Sequence, residues 1–219
     1  MRKLIRHLKR AGHRRIGFMA NFSPAHAHEA RRLAFIRAME AESLPCDPDD
    51  FLSGRGRLEH AKQTTADYLK NGRSDRYTAF VAASDLMAIG MLTACREAGV
   101  AVPGHLAIAG CENVLMTLQT TPTVTTLHYP RPEAAVSAVR TMVESLRGEP
   151  AESKLLEAER LVRGSTSPEA CPRAFAGRNK RCAVCPGGLR RTLPFIRPAR
   201  RRAGRSGRAA SRPPAPAPA

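Results

Sequence analysis

Short, continuous apolar runs alternate along the chain with longer stretches whose apolar residues recur at helical spacing. The runs "RIGFMA" (15–20), "YTAFVAA" (77–83) and "HLAIAG" (105–110) predict strands buried on both faces, and "DDFLSG" (49–54) reads as a further strand. Between them, "HEARRLAFIRAMEAE" (28–42), "RLEHAKQTTADYLKNG" (57–72) and residues 85–98 predict helices, the last two stopping at Gly72 and Gly99. Upstream, Leu4, Ile5 and Leu8 mark one face of a short helix whose other face is cationic. Downstream, "TVTTLHY" (123–129) predicts an extended segment, residues 131–148 a helix, and "SKLLEAERLVRG" (153–164) mostly extended chain. Strands that alternate with helices of this length require crossover connections, so the expected fold is α/β: a parallel sheet with helices on both faces.

After Thr166 the pattern stops. Residues 167–219 are rich in Arg, Pro, Gly and Ala with little apolar periodicity, too little to offset chain entropy, and are expected to be a disordered tail following a domain at 1–166. This division changes the meaning of the charge. The formal net charge is +17, but residues 1–15 carry +7, residues 167–219 carry +12, and the body between them carries −2. Basicity therefore belongs to the two ends, and the body is not a nucleic-acid binder by charge. No apolar run is long enough to span a bilayer, and the basic start lacks the apolar core of a secretory signal. Six cysteines show no disulfide-like framework, and Cys46, Cys95 and Cys111 read as reduced thiols of a cytoplasmic protein.

The stretch "AASDLMAIGM" (82–91) places Ser84 and Asp85 where a buried strand hands over to a helix. Asp85 is expected to be the helix N-cap. Ser84, at the carboxyl end of the strand, stands where open α/β sheets place their ligands.

Three segments together resemble the effector-binding core of the lactose-repressor/galactose-repressor (LacI/GalR) family of bacterial transcription regulators. They are "LKRAGHRRIGFM", "AFVAASDLMAIGMLTACREAGVAVPGHLAIAGCEN", and "TPTVTTLHYPRPEAA" followed by "LVRGST". The resemblance implies one lobe of a two-lobed, periplasmic-binding-protein-like sensor that binds a sugar or sugar-acid effector between its lobes. It implies no cofactor, a homodimer, and operator DNA as the partner of the full-length family. On the family's plan the chain starts at the second lobe, without first lobe or helix-turn-helix headpiece, so only non-specific DNA contact through the basic ends is expected. The helix at 131–148, which in the family crosses to the first lobe, would then leave Val136, Val139, Met142, Val143 and Leu146 without a partner. The resemblance also points to site residues. Arg31 falls where the family has an effector-binding arginine, whose planar fork grips two ligand oxygens; without that registration, Arg31 and Arg32 would read as a solvated helix face. Ser84 matches an Asn/Ser that faces the ligand, and Glu112 in "GCEN" replaces the Asp that accepts from sugar hydroxyls. Tyr129 lies at the crossing between lobes, where it either stacks on a sugar or packs the hinge.

The remaining clusters are weaker. His26 and His28 form one H-x-H without a third ligand, and Cys182 and Cys185 lie in the tail without a fourth zinc ligand, so no metal is expected. Paired carboxylates, a nucleophile elbow and a phosphate-cradling loop are missing, and no enzyme is expected. Two alternatives from other classes are a sugar solute-binding protein of a transporter and a non-specific nucleic-acid binder acting through its tail.

Overall fold

In a computed structural model of the protein, the described residues are 1–21, 26–47, 51–71, 76–150 and 154–167, with only the backbone described for His26, Ala27 and His28. The tail at 167–219, with Cys182 and Cys185, falls outside them apart from residue 167. The chain runs α1 (Arg2–Arg10), β1 (Ile16–Ala20), α2 (His26–Ala41), β2 (Leu52–Ser53), α3 (Leu58–Lys70), β3 (Ala79–Ala82), α4 (Asp85–Glu97), β4 (Ala107–Cys111), a 3-10 turn (Leu115–Leu118), β5 (Thr125–His128), α5 (Arg131–Leu146) and β6 (Glu159–Leu161).

The strands form one sheet in the order β2-β1-β3-β4-β5-β6. The first five are parallel, as the alternating pattern predicts. β6 is the exception and pairs antiparallel with β5. It enters after α5 rather than through a crossover helix, and an edge position leaves its direction unconstrained. Every residue of β1, β3 and β4 is buried, which explains their unbroken apolar runs. The crossover from β1 to β2 runs one way along the sheet and those from β2 to β3 and from β3 to β4 run the other, so with right-handed connections α2 covers one face and α3 with α4 the other. α1 packs on α2, and α3 on α4. The second contact is close: a Cβ added at Gly90 would stand 2.3 Å from the Leu58 carbonyl oxygen.

One aromatic cluster fills each face. Phe18 stacks on Phe35 at 4.6 Å with Phe51 edge-on to both, while Tyr68 and Tyr77 meet Phe80 edge-on. α1 closes the first of these faces with Leu4, Ile5 and Leu8, all fully buried. Its cationic side is tied down at two points: Arg2, Arg6 and Lys9 converge on Glu42 just after α2, and Lys3 pairs with Glu157 ahead of β6.

α5 is different. No residue of it is buried, and Val136, Val139 and Met142 are each more than half exposed along with Leu146. The apolar face expected to lack a partner does lack one among the described residues. Amides of α5 should therefore exchange with deuterium orders of magnitude faster than those of β3, because local opening exposes almost no new apolar surface. Exchange mass spectrometry checks this, and equal protection in the two elements would contradict it.

His13 sits buried between α1 and β1, its Nδ1 2.9 Å from Thr78 Oγ1. Burial, reinforced by the neighbouring His7, pushes its pKa from 6.5 down to about 4. A base with a depressed folded-state pKa must charge at a cost as the medium acidifies. Its contribution is whole above pH 6.5 and is lost as pH falls toward 4, about 3 kcal/mol in all. His7, also lowered by burial and by Arg160, adds to the same limb. Urea unfolding between pH 7 and pH 4 should show this loss, and His13→Gln should flatten it.

Candidate functional site

The strand order turns back at β1, whose neighbours β2 and β3 are reached by crossovers on opposite faces. The carboxyl edge beside such a switch point is a natural ligand crevice. Four of the predicted site residues, Arg31, Ser84, Glu112 and Tyr129, come from four different elements to this edge.

Arg31 lies in the second turn of α2, above the end of β1. Its Nη1 donates to the Ala83 carbonyl at the end of β3 and to Glu112 Oε1, both at 2.7 Å. Both side chains of this ion pair are largely but not wholly shielded, at 21% and 28% exposure. Burial works against the Arg31 charge, but the hydrogen bond and charge of Glu112 outweigh it and hold the guanidinium above its usual pKa. The Arg31 guanidinium carbon also sits 5.9 Å from the centre of the Tyr129 ring, a cation–π contact. Burial pushes the Tyr129 hydroxyl up to about 12, so the ring stays neutral. Beneath the pair, Cys111 is fully buried and its thiol is pushed up to about 12 by burial, an inert packing residue.

The cap of α4 is one residue earlier than expected. The N-cap of α4 is Ser84, whose Oγ accepts the Met87 N–H at 3.4 Å. Asp85 is not the cap; it is the first residue of the helix and is completely buried. Its Oδ1 accepts from Thr126 Oγ1 at 2.7 Å and its Oδ2 from the Val114 N–H at 2.9 Å. The extended backbone of Ser84 turns its own hydroxyl toward the helix, while Asp85 faces across β4 to β5. Gly110 makes that reach possible, because a Cβ there would stand 2.2 Å from Asp85 Oδ1. Burial raises the Asp85 pKa, against the pull of the Thr126 and Val114 hydrogen bonds.

The loop after β4 depends on these contacts. Glu112 and Asn113 are consecutive left-handed residues, φ 117° and 53°. Such a conformation at Glu costs of order 1–3 kcal/mol and survives only where surroundings fix it. Here three successive N–H groups are held: Glu112 N by the Leu127 carbonyl, Asn113 N by Thr126 Oγ1, and Val114 N by Asp85. Arg131, at the start of α5, donates to the Glu112 carbonyl. Arg163 donates to Asn113 Oδ1 at 2.7 Å and to Thr117 Oγ1 at 2.8 Å, and Asn113 Nδ2 lies 3.1 Å from His128 Nδ1. Sequence reading missed Arg131, Asn113, Arg163 and His128 as supports of the site. Arg131 carries one local signal, its place at a helix start beside Pro132; the reach of Arg163 across 50 residues carries none.

A family model described as a periplasmic binding protein-like domain matches residues 5–167. The chain is 31% identical over 165 residues to the HTH-type transcriptional regulator DegA of Bacillus subtilis, covering 74% of this chain and 48% of DegA. It therefore spans less than half the length of the curated relatives it matches. A regulatory protein of the LacI family from Chloroflexus aggregans superposes with a TM-score of 0.69 at 28% identity, over 76% of this chain and 60% of that one. A transcriptional regulator CelR–cellobiose complex superposes with a TM-score of 0.66 at 26% identity, over 75% of this chain and 49% of that one.

Replacing Asp85 by Asn puts an N–H₂ group against one of two hydrogen-bond donors. The expected loss is about 1–3 kcal/mol of stability, read from the urea midpoint. The amide resonances of residues 112–114 should move most, and a silent loop would separate Asp85 from the site.

Proposed function

Because the chain belongs to the periplasmic binding protein-like domain family, in the form that LacI-family regulators carry, we propose that it is the ligand-sensing part of a bacterial transcription regulator. The effector is a small, hydroxyl-rich molecule of the sugar or sugar-acid class. The observation that carries this reading is the Arg31–Glu112 pair under Tyr129 at the sheet's switch point. Arg31 commits both N–H bonds of Nη1 to protein oxygens and presents the rest of its fork to ligand oxygens, while Glu112 offers its second carboxylate oxygen to hydroxyls. Tyr129 supplies an apolar face for a sugar ring. The cellobiose held by CelR supports a sugar as the class. The match to regulators supports this role over that of a transporter's solute-binding protein.

No helix among the described residues is long and apolar enough to cross a membrane, and the proposed place of action is the bacterial cytoplasm. The proposed partners beyond the effector are a second copy of the chain and DNA. The exposed Leu115, Met116 and Leu118, next to the ligand loop, support a self-association surface. DNA contact through the basic segments 1–15 and 167–219 would be electrostatic, indifferent to sequence and weakened by salt. The relatives to which the chain is matched are regulators rather than enzymes by their printed names, which supports a binding role for the site. Ser84 supports the crevice wall through its backbone and cap.

Thermal-shift titration with cellobiose, D-galactose and D-gluconate tests the reading. At least one should raise the melting temperature in a saturable way, and Arg31→Met should abolish that rise while leaving the ligand-free melting temperature within a few degrees. A rise that survives Arg31→Met sinks the assignment of the crevice.

A further inference from the structure

The same sheet edge carries a second feature, on the β2 side. Gly54, Arg55, Gly56 and Arg57 form a tight turn closed by the Arg57 N–H to the Gly54 carbonyl at 3.0 Å. Both central residues are left-handed, φ 48° at Arg55 and 67° at Gly56, the type I′ arrangement. Gly56 suits that conformation, and the Asn21 amide fills the space beside it, where a Cβ would stand 2.6 Å from Asn21 Nδ2. Arg55 does not suit it, since a long side chain in the left-handed region is disfavoured where Asn, Asp or Gly is not. Both arginines are exposed, and neither guanidinium makes a hydrogen bond or ion pair with a described residue.

The position of this turn relative to Arg31 follows from the sheet. Gly54 N donates to the Ala20 carbonyl on one side of β1, and Ala83 N to the Met19 carbonyl on the other. Gly54 and Ala83 thus flank the end of one strand, about 10 Å apart at ordinary strand spacing. Arg31 touches the Ala83 carbonyl. An arginine side chain spans much of the remaining gap. Among the described residues Glu112 is paired with Arg31 and Asp85 is sealed in the interior, so neither acid engages Arg55 or Arg57.

The geometry points to an anion subsite at Arg55 and Arg57, so that the effector is a hydroxylated molecule carrying a carboxylate or phosphate group. This rests on the reading of the crevice as an effector site. The hydroxyl-bearing part lies against Arg31, Glu112 and Tyr129, and the acidic group reaches the β2 turn. Two guanidinium forks there select an anion over a neutral sugar by charge-assisted hydrogen bonds.

The test uses the full ¹⁵N-labelled chain and four probes: D-glucose, D-gluconate, D-glucose 6-phosphate and inorganic phosphate. Gluconate or glucose 6-phosphate should shift the Gly54 and Gly56 amides and bind at least about tenfold more tightly than glucose; which of the two does so identifies the acidic group. Arg55→Asn, which puts a residue tolerant of φ 48° there, and Arg57→Ser, which puts a capping residue at the N-cap of α3, should each erase most of that preference and leave glucose binding unchanged. Equal binding of neutral and acidic probes, a preference that survives both substitutions, or silent Gly54 and Gly56 amides overturns the proposal. Inorganic phosphate binding as tightly as glucose 6-phosphate also overturns it, since the site would then be separate from the crevice. Arg31→Met distinguishes the two readings. If it weakens every probe while Arg55→Asn and Arg57→Ser change nothing, the crevice stands and the subsite falls; if it changes nothing, the crevice reading itself falls.

Discussion

A single buried carboxylate holds the working edge of this protein together. Asp85, with no exposure, begins α4, and its two oxygens reach Thr126 on β5 and the backbone of Val114 beyond β4. A charge so buried is costly unless it is satisfied. Here the positive end of a helix and two donors satisfy it. The contacts tie one helix to two strands and a loop, and they require glycine at position 110, where any side chain would displace the carboxylate.

The loop after β4 takes its shape from that anchor. Glu112 stands in a backbone conformation that it would not choose, and three consecutive N–H groups keep it there. Its side chain thereby meets Arg31, which arrives from a helix 81 positions earlier in the chain. Ser84 Oγ accepts the Met87 N–H as the cap of α4, and its own O–H is left to donate. In "AASDLMAIGM", Ser84 caps the strand-to-helix turn and Asp85 supports the loop across the sheet.

The distribution of charge and apolar surface follows the same division between body and margins. The slightly acidic body buries its apolar residues in two aromatic-centred layers, while the cations of α1 gather mainly on Glu42, with Lys3 paired to Glu157. α5 departs from this economy. Its apolar stripe faces outward, and the chain spans less than half the length of its curated relatives.

Much of the fold was legible in the order of residues, because period and turn signals are local. Unbroken apolar runs marked the buried parallel strands β1, β3 and β4, the 3.6-residue period marked α2 through α5, and Gly99 marked the end of α4. The family phrases also located Arg31, Glu112 and Tyr129 near one another, and the sheet edge unites them. Three things lay beyond a local reading. The direction of β6 depends on which edge of the sheet is open when the chain returns. The choice between Ser84 and Asp85 as cap turns on a backbone angle and on Thr126, some forty residues away. The supports from Arg131, Arg163 and His128 arise only when β4, β5 and the chain after α5 come together. Periodicity and turn chemistry are properties of neighbouring residues, and the sequence carries them openly. Which polar groups satisfy one another is decided by distance in space, and only the packed sheet sets those distances.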